Sequence, residues 1–181
     1  MSDPAATISI RPVEAADLEA IQRIYAHHVL HGLASFEETP PDGAELTQRW
    51  RAIADGGLPY LAATDKADGT LIGYAYAAPY RPRSAYRFTV EDSVYVAPGA
   101  AGRGIGRALL RQLIDISTDL GKRQMVAIIG DSGNEPSIKL HRVCGFDLVG
   151  TFRSIGFKHG RWVDTVLMQR PLGAGNQTLP S

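Results

Sequence analysis

Cysteine is nearly absent from this 181-residue chain, Cys144 standing alone. One thiol excludes an internal disulfide and is too few for a thiolate zinc cage or an iron–sulfur cluster, so a cytoplasmic protein is expected. Net charge is lacking too: nineteen Lys and Arg balance nineteen Asp and Glu. No bulk field then holds the protein on nucleic acid, an anionic membrane or a polyacidic partner. Long apolar runs are missing as well. The longest uncharged, mostly apolar stretch, Leu71 to Tyr80, has ten residues, where a spanning helix needs about twenty. The opening MSDPAATISI has neither a basic nor an apolar leader region, so no signal peptide is expected. No internal repeat is visible, and nineteen glycines with eleven prolines fall short of the low-complexity range of about 25–30%.

What is present fits one packed unit. At roughly 150 residues per domain the length predicts a single domain, placed at 1–172, followed by a loose Gly- and Pro-containing tail at 173–181. A short strand, Thr7 to Pro12, precedes a helix with Leu18, Ile21, Ile24, Tyr25 and Val29 at helical spacing and Asp17 as its expected cap. After an irregular stretch, Gly32 to Pro41, Asp42 with Glu45 three residues on marks a second helix ending near Gly56-Gly57. Strands follow at Pro59 to Thr64, Leu71 to Ala78 and Phe88 to Val96, the first two joined by a turn at Asp68-Gly69. The rest alternates: helix Gly104 to Leu120, strand Met125 to Gly130, helix Glu135 to Val143, then strands around Phe146 to Ile155 and Trp162 to Gln169. The order predicts an α/β fold with a mixed sheet of about seven strands and helices on both faces.

The segment from Asp92 to Leu110 carries the chemistry. A strand rich in β-branched and aromatic residues runs into glycines before and inside the first turn of an apolar-striped helix. Free N–H groups at a helix N-terminus, with glycines that let an anion approach, make a phosphate cradle, and Arg103 and Arg107 add charge. A P-loop is excluded, because Ile105 follows Gly104 where lysine is needed. The dinucleotide fingerprint fails in both frames, meeting Arg107 or Leu109 at its last position.

Ala101-Gly102-Arg103-Gly104-Ile105-Gly106 resembles the acetyl-CoA loop of the GCN5-related N-acetyltransferases (GNAT), although Ala101 stands where that family has Gln or Arg. Asn134 to Phe146 is similar to a second element of that family, with His141 at a position commonly occupied by Tyr. That histidine, with Thr89 to Val96, Arg81, Ser84-Ala85-Tyr86 and Gly156 to Asp164, resembles the phosphinothricin and methionine sulfoximine N-acetyltransferase branch over nearly the whole chain. The resemblance implies the GNAT fold, acetyl-CoA as co-substrate, a small amino-acid analogue acetylated on its α-amino group, and a homodimer. It also implies that Val94, Tyr95 and Val96 border the acetyl group and pantetheine arm, with Asn134 beside them and Gly102 to Arg107 on the pyrophosphate.

An α-amine is largely protonated near neutral pH and needs a base before it attacks a thioester. Glu91, on the strand entering the loop, matches the branch's proposed base; the blander reading is a solvated strand glutamate. His141 is read as acid, base or water organiser, or as a helix histidine that only packs. For the acceptor, Arg81 is the natural clamp on a carboxylate. Phe36, Tyr86 and Thr89 are expected to wall the pocket, and Lys158 with His159 to reach into it, from the partner subunit by the branch's pattern. Arg83 and Arg87 read as surface charge.

His27, His28 and His31 invite a metal reading, but no carboxylate completes a metalloprotease pattern, so they are taken as a helix face and no metal is expected. Cys144, among Leu140, Val143 and Phe146, reads as a buried, inert thiol, which favours direct transfer in a ternary complex. Gly130-Asp131-Ser132-Gly133 only superficially resembles a hydrolase elbow, because Asn134 stands where glycine is required. Two alternatives stay open: the same fold acetylating a polyamine, an aminoglycoside or a protein N-terminus, and a non-catalytic acyl-CoA-binding sensor.

Overall fold

The computed structural model describes residues 7–180; the leader reading at residues 1–6 and the last tail residue, Ser181, lie outside the described residues. Local chemistry sets the helices. Helix α1 (Leu18–His31) buries Leu18, Ile21, Ile24, Tyr25 and Val29, one stripe at helical spacing. Helix α2 (Gly43–Asp55) starts where the Asp42 carboxylate accepts the Glu45 N–H at 2.8 Å, satisfying an otherwise orphaned donor. Helix α3 (Ile105–Asp119) buries Ile105, Leu109, Leu110, Leu113 and Ile114. Helix α4 (Glu135–Val143) opens on Asn134, whose Oδ1 accepts the Ser137 N–H at 3.3 Å.

Asp17 does not cap α1 as the local pattern leads one to expect. Its own backbone is helical, at the end of a short 3-10 turn (Ala15–Asp17). The carboxylate turns back to accept the Glu14 N–H at 2.8 Å and to pair with Arg11 through two bonds of 2.6 and 2.8 Å. A charge-assisted bidentate pair outweighs one neutral capping bond.

Seven strands form one sheet in the order β1-β2-β3-β4-β5-β7-β6. They are β1 (Ile8–Pro12), β2 (Tyr60–Asp65), β3 (Leu71–Pro79), β4 (Thr89–Val96), β5 (Gln124–Gly130), β6 (Asp147–Lys158) and β7 (Arg161–Pro171). Neighbours are antiparallel except β4 and β5, which run parallel. Helices α1 and α2 pack on one face around Ile21, Val29, Leu46 and Tyr74; α3 and α4 pack on the other around Leu109, Leu113, Ile138 and Phe146. Full burial of each such side chain contributes about 1.5–3 kcal/mol, so the α3 stripe anchors the loop before it.

The one parallel junction positions the site. Pairing of β4 with β5 runs from Thr89↔Gln124 to Asp92↔Ala127 and stops, although both strands continue. The Ala97 N–H bonds Ile72 of β3 at 2.9 Å and the Thr89 carbonyl accepts from Tyr80 on the same side. By alternation, the N–H and C=O groups of Val94 and Val96 therefore face the open side, where β5 has diverged.

At the other sheet edge, β6 pairs only with β7 and is exposed over most of its length. Its ladder slips between Phe152 and Gly156, where Ser154 takes φ +52° and its N–H bonds Asp164 at 2.8 Å. Residues 173–180 form successive turns: Leu172 is buried, and Arg123 donates to Thr178 Oγ1 at 2.8 Å and the Leu179 carbonyl at 2.9 Å. No helix among the described residues is long and apolar enough to cross a membrane.

Candidate active site

Beyond Asp92 and Ala127 the parted strands open into a cleft of about 890 Å³ between β4, α3 and α4. Its floor is Val94, Tyr95 and Val96, and one wall is the glycine turn before α3. Gly102 and Gly104 take φ +80° and +79°, a left-handed conformation that glycine adopts without a Cβ clash. No side chain caps α3 at Gly104, so its first-turn N–H groups are free for an anion. Gly102, Gly104, Ile105, Gly106, Arg107 and Asn134 all line this cleft. A Cβ on Gly106 would come within 3.3 Å of Leu140, so glycine there lets α3 and α4 approach.

Arg103 is the exception among the loop residues. Its guanidinium bonds Asp65 at 2.7 Å instead of lining the cleft, because a carboxylate at the end of β2 is within reach. That charge ties the loop to the sheet and, after the Ala67 N–H, helps hold the Asp65 carboxyl below its ordinary range.

The Val96 carbonyl, facing the open side, is taken by His28 Nε2 at 2.9 Å. A carbonyl oxygen only accepts, so Nε2 carries the donated proton, and burial lowers the pKa of His28. His28 and His31 line the cleft while His27 is exposed, so the three do not act as one uniform helix face. The sequence signal for this role was weak, since Val96 lies 68 residues from His28.

Glu91 sits half-buried on β4, with its pKa raised by burial, lowered in part by Arg81 and raised by Asp92. Arg81 is exposed, its guanidinium 4.6 Å from the Tyr80 ring centre. Tyr86 meets Tyr80 edge to face at 5.5 Å, and Thr89 begins β4 at the same end. Glu91, Arg81, Tyr86 and Thr89 are thus gathered near the start of β4.

Phe36 belongs to the irregular stretch between α1 and α2, which lies across the ends of β5 and β6. A Cβ at Gly130 would strike the Leu33 carbonyl, and one at Gly156 would strike the Phe36 ring, so both glycines make room for this crossing. Tyr25 bonds Ser35 Oγ and Glu37 at 2.9 Å, and Arg49 bonds Glu37 at 2.6 Å, fixing the stretch to both helices. Burial first pushes the Tyr25 hydroxyl up to about 12. Lys158 is buried, and its Nζ donates to the Ser35 carbonyl at 2.6 Å within its own chain. His159 lies exposed in the β6–β7 turn with φ +51°.

His141 is buried against Asp92, its Nε2 3.0 Å from Asp92 Oδ2 and its Nδ1 2.8 Å from the Ser137 carbonyl. Burial opposes the charged ring, but the Asp92 bond and charge, aided by Ser137, leave the pKa raised. Ser137 Oγ lies 3.5 Å from Nδ1, completing a Ser-His-Asp constellation in outline only. A nitrogen 2.8 Å from a carbonyl oxygen must carry the proton, so it cannot take one from the serine. Cys144 is buried with its thiol pKa raised by burial, and the Ser132 hydroxyl donates to Asp164 at 2.8 Å.

A family model described as Acetyltransferase (GNAT) family matches residues 18–146. Phosphinothricin N-acetyltransferase of Alcaligenes faecalis is 58% identical over 172 residues, covering 95% of this chain and 86% of that protein. The L-methionine sulfoximine/L-methionine sulfone acetyltransferase of Pseudomonas paraeruginosa is 43% identical over 161 residues, 89% of this chain and 92% of the relative. Among solved structures, a GNAT superfamily phosphinothricin acetyltransferase from Sinorhizobium meliloti in complex with AcCoA superposes with a TM-score of 0.93 at 51% identity, covering 97% of this chain and 94% of the other.

Proposed function

The chain belongs to the GNAT acetyltransferase family and is an acetyl-CoA-dependent N-acetyltransferase, and from that premise we propose its acceptor: the α-amino group of a small amino-acid analogue of the phosphinothricin or methionine sulfoximine class. The observation that carries this reading is a half-buried carboxylate, Glu91, on the strand that opens into the cleft, with Arg81 of the preceding loop close enough to act on its charge. The named relatives act on such analogues.

Acetyl-CoA supplies the acyl group as an activated thioester. The residues present fit it: the glycine turn and first-turn N–H groups of α3 would hold its pyrophosphate, with Arg107 adding charge. The freed N–H groups of Val94 and Val96 would receive the acetyl oxygen and the pantetheine arm, beside Asn134. Glu91 removes the ammonium proton and Arg81 clamps the carboxylate of the acceptor. Tyr86, Thr89 and Phe36 bound its side chain, while Lys158 acts from within the same chain by holding Ser35. With Cys144 buried, Ser132 engaged by Asp164 and Ser137 facing a protonated nitrogen, the amine attacks directly in a ternary complex. A second copy of the chain covers β6, where Leu148, Val149, Phe152, Ile155 and Phe157 are all more than half exposed.

The test is thiol release from acetyl-CoA with methionine sulfoximine, phosphinothricin, spermidine, an aminoglycoside and a peptide N-terminus offered in parallel. Turnover confined to the amino-acid analogues, with intersecting double-reciprocal lines, is the expected result. Turnover of another amine alone overturns the acceptor assignment, parallel lines overturn direct attack, and binding without thiol release with any amine points to a sensor.

A further inference from the structure

Where β4 and β5 part, a crevice of about 50 Å³ descends between them, lined in part by Asp92, Ala127, Ile129 and His141. It shares Val94, Gly130, Asn134 and Ser137 with the larger cleft. The Asp92 side chain is only 1% exposed, and half of its carboxylate is satisfied. Oδ2 accepts from His141 Nε2 at 3.0 Å, whereas Oδ1 is buried without a hydrogen-bond partner among the described residues. Leaving a buried polar group unmatched is costly, and more so for a charged one. Such a group calls for a donor that arrives with the ligand.

His141 is the opposite case. Its Nδ1–H is engaged by the Ser137 carbonyl and its Nε2–H by Asp92 Oδ2. No ring nitrogen is left for a ligand unless one of these bonds breaks. The two carboxylates of β4 lie on opposite faces by strand alternation. Glu91 shares the side of Tyr76, under α1 and α2, while Asp92 lies on the side of Val90 and α4. The two carboxylates thus stand on the two faces of the strand that borders the opening.

Building on the acetyl-transfer reading above, we propose that Asp92 Oδ1 is a catalytic proton carrier between the amine nitrogen and the departing sulfur. Glu91 removes the ammonium proton first and releases it to solvent, returning to the carboxylate. The nitrogen lone pair then forms the C–N bond, and the proton which that nitrogen sheds passes to Oδ1. The C–S bond breaks with its electron pair on sulfur, which takes the proton from Oδ1 and leaves as the thiol. Asp92 ends as the carboxylate it was. His141 is a positioning residue: its Nε2–H holds Oδ2 and leaves Oδ1 for the crevice.

Two substitutions separate these roles, read by thiol release from acetyl-CoA with methionine sulfone as acceptor. Asp92→Asn keeps the shape and removes the carrier, so kcat falls about 100-fold or more. Its KM for acetyl-CoA stays within about twofold, a split that a merely structural role would not produce. His141→Gln keeps an N–H for Oδ2 and loses only about fivefold in kcat, the worth of one hydrogen bond. The reverse ranking, with Asp92→Asn within about threefold of the parent and His141→Gln crippled, overturns the proposal and makes His141 the acid. If Asp92→Asn does not fold, Asp92→Ser, which accepts from Nε2 but carries no carboxyl proton, is held to the same expectation and the same refutation. A parent enzyme inert toward methionine sulfone, methionine sulfoximine and phosphinothricin but active on another amine overturns the acceptor assignment alone, and the Asp92 comparison is then decided with that amine.

Discussion

A carboxylate works as a base on an amine when its surroundings raise its proton affinity above that of a free glutamate while leaving it ionised at the working pH. Glu91 meets the first condition through burial, opposed by Arg81 and reinforced by Asp92. The sign of the pH dependence follows. The base form exists above the Glu91 pKa, so kcat/KM rises with pH through a limb displaced upward from the ordinary glutamate value of 4.5. Glu91→Gln is expected to lower kcat about 100-fold or more and to abolish that limb, with acetyl-CoA affinity in calorimetry essentially unchanged. A pH–rate profile identical to the parent's, at equal kcat, removes Glu91 from the chemistry. Glu91 and His141 are visible in sequence because residue type and family pattern mark them. Asp92 is not: its partner His141 is 49 residues away, and only its place on the apolar face of Val90 and Val94 hints at a buried carboxylate.

At the scale of elements, local signals were legible and distant ones were not. The five-residue stripe of α1 and the Asp42 cap of α2 are set by neighbours within a turn or two. The same logic misplaces Asp17, because Arg11 competes for its carboxylate from the preceding strand, and it assigns Arg103 to the phosphate loop when Asp65, 38 residues earlier, takes it. The glycine turn itself is readable, since the strand, glycines and apolar stripe are contiguous. Gly104 supplies a sharp test of that turn. At φ +79° a β-branched side chain carries a backbone cost of about 1–2 kcal/mol or more, and relief of it turns the first-turn N–H groups away from the anion. Gly104→Val is therefore expected to weaken acetyl-CoA binding about tenfold or more, while the melting temperature, governed by the buried α3 stripe, changes by only a few degrees. Unchanged affinity by calorimetry takes the pyrophosphate off this turn.

At the scale of the whole molecule, a single chain leaves β6 as an open, largely apolar edge. Strand order was not legible, because β7 enters between β5 and β6 through pairings that no local pattern announces, and β6 is left at the edge. Solitary edge strands are usually short, charged or covered; this one is twelve residues long with five large apolar side chains more than half exposed. Across the turn, Trp162 is 64% exposed and packs edge to face on Phe157 at 5.3 Å, extending the same apolar surface. With formal net charge zero, no long-range repulsion keeps two copies apart. A second copy seated there would satisfy both the open ladder edge and the apolar side chains, and a two-fold arrangement would close the assembly. Light scattering during size exclusion should therefore give twice the chain mass, and Phe152→Asp, which buries a charge in that contact, should shift the population to single chains at micromolar concentration. A parent protein that runs at one chain mass at all concentrations overturns the dimer. Because the Phe36 stretch packs on Gly156 of β6, the dissociated variant is also expected to lose affinity for the acceptor amine more than for acetyl-CoA, whose cleft draws on β4, α3 and α4 instead.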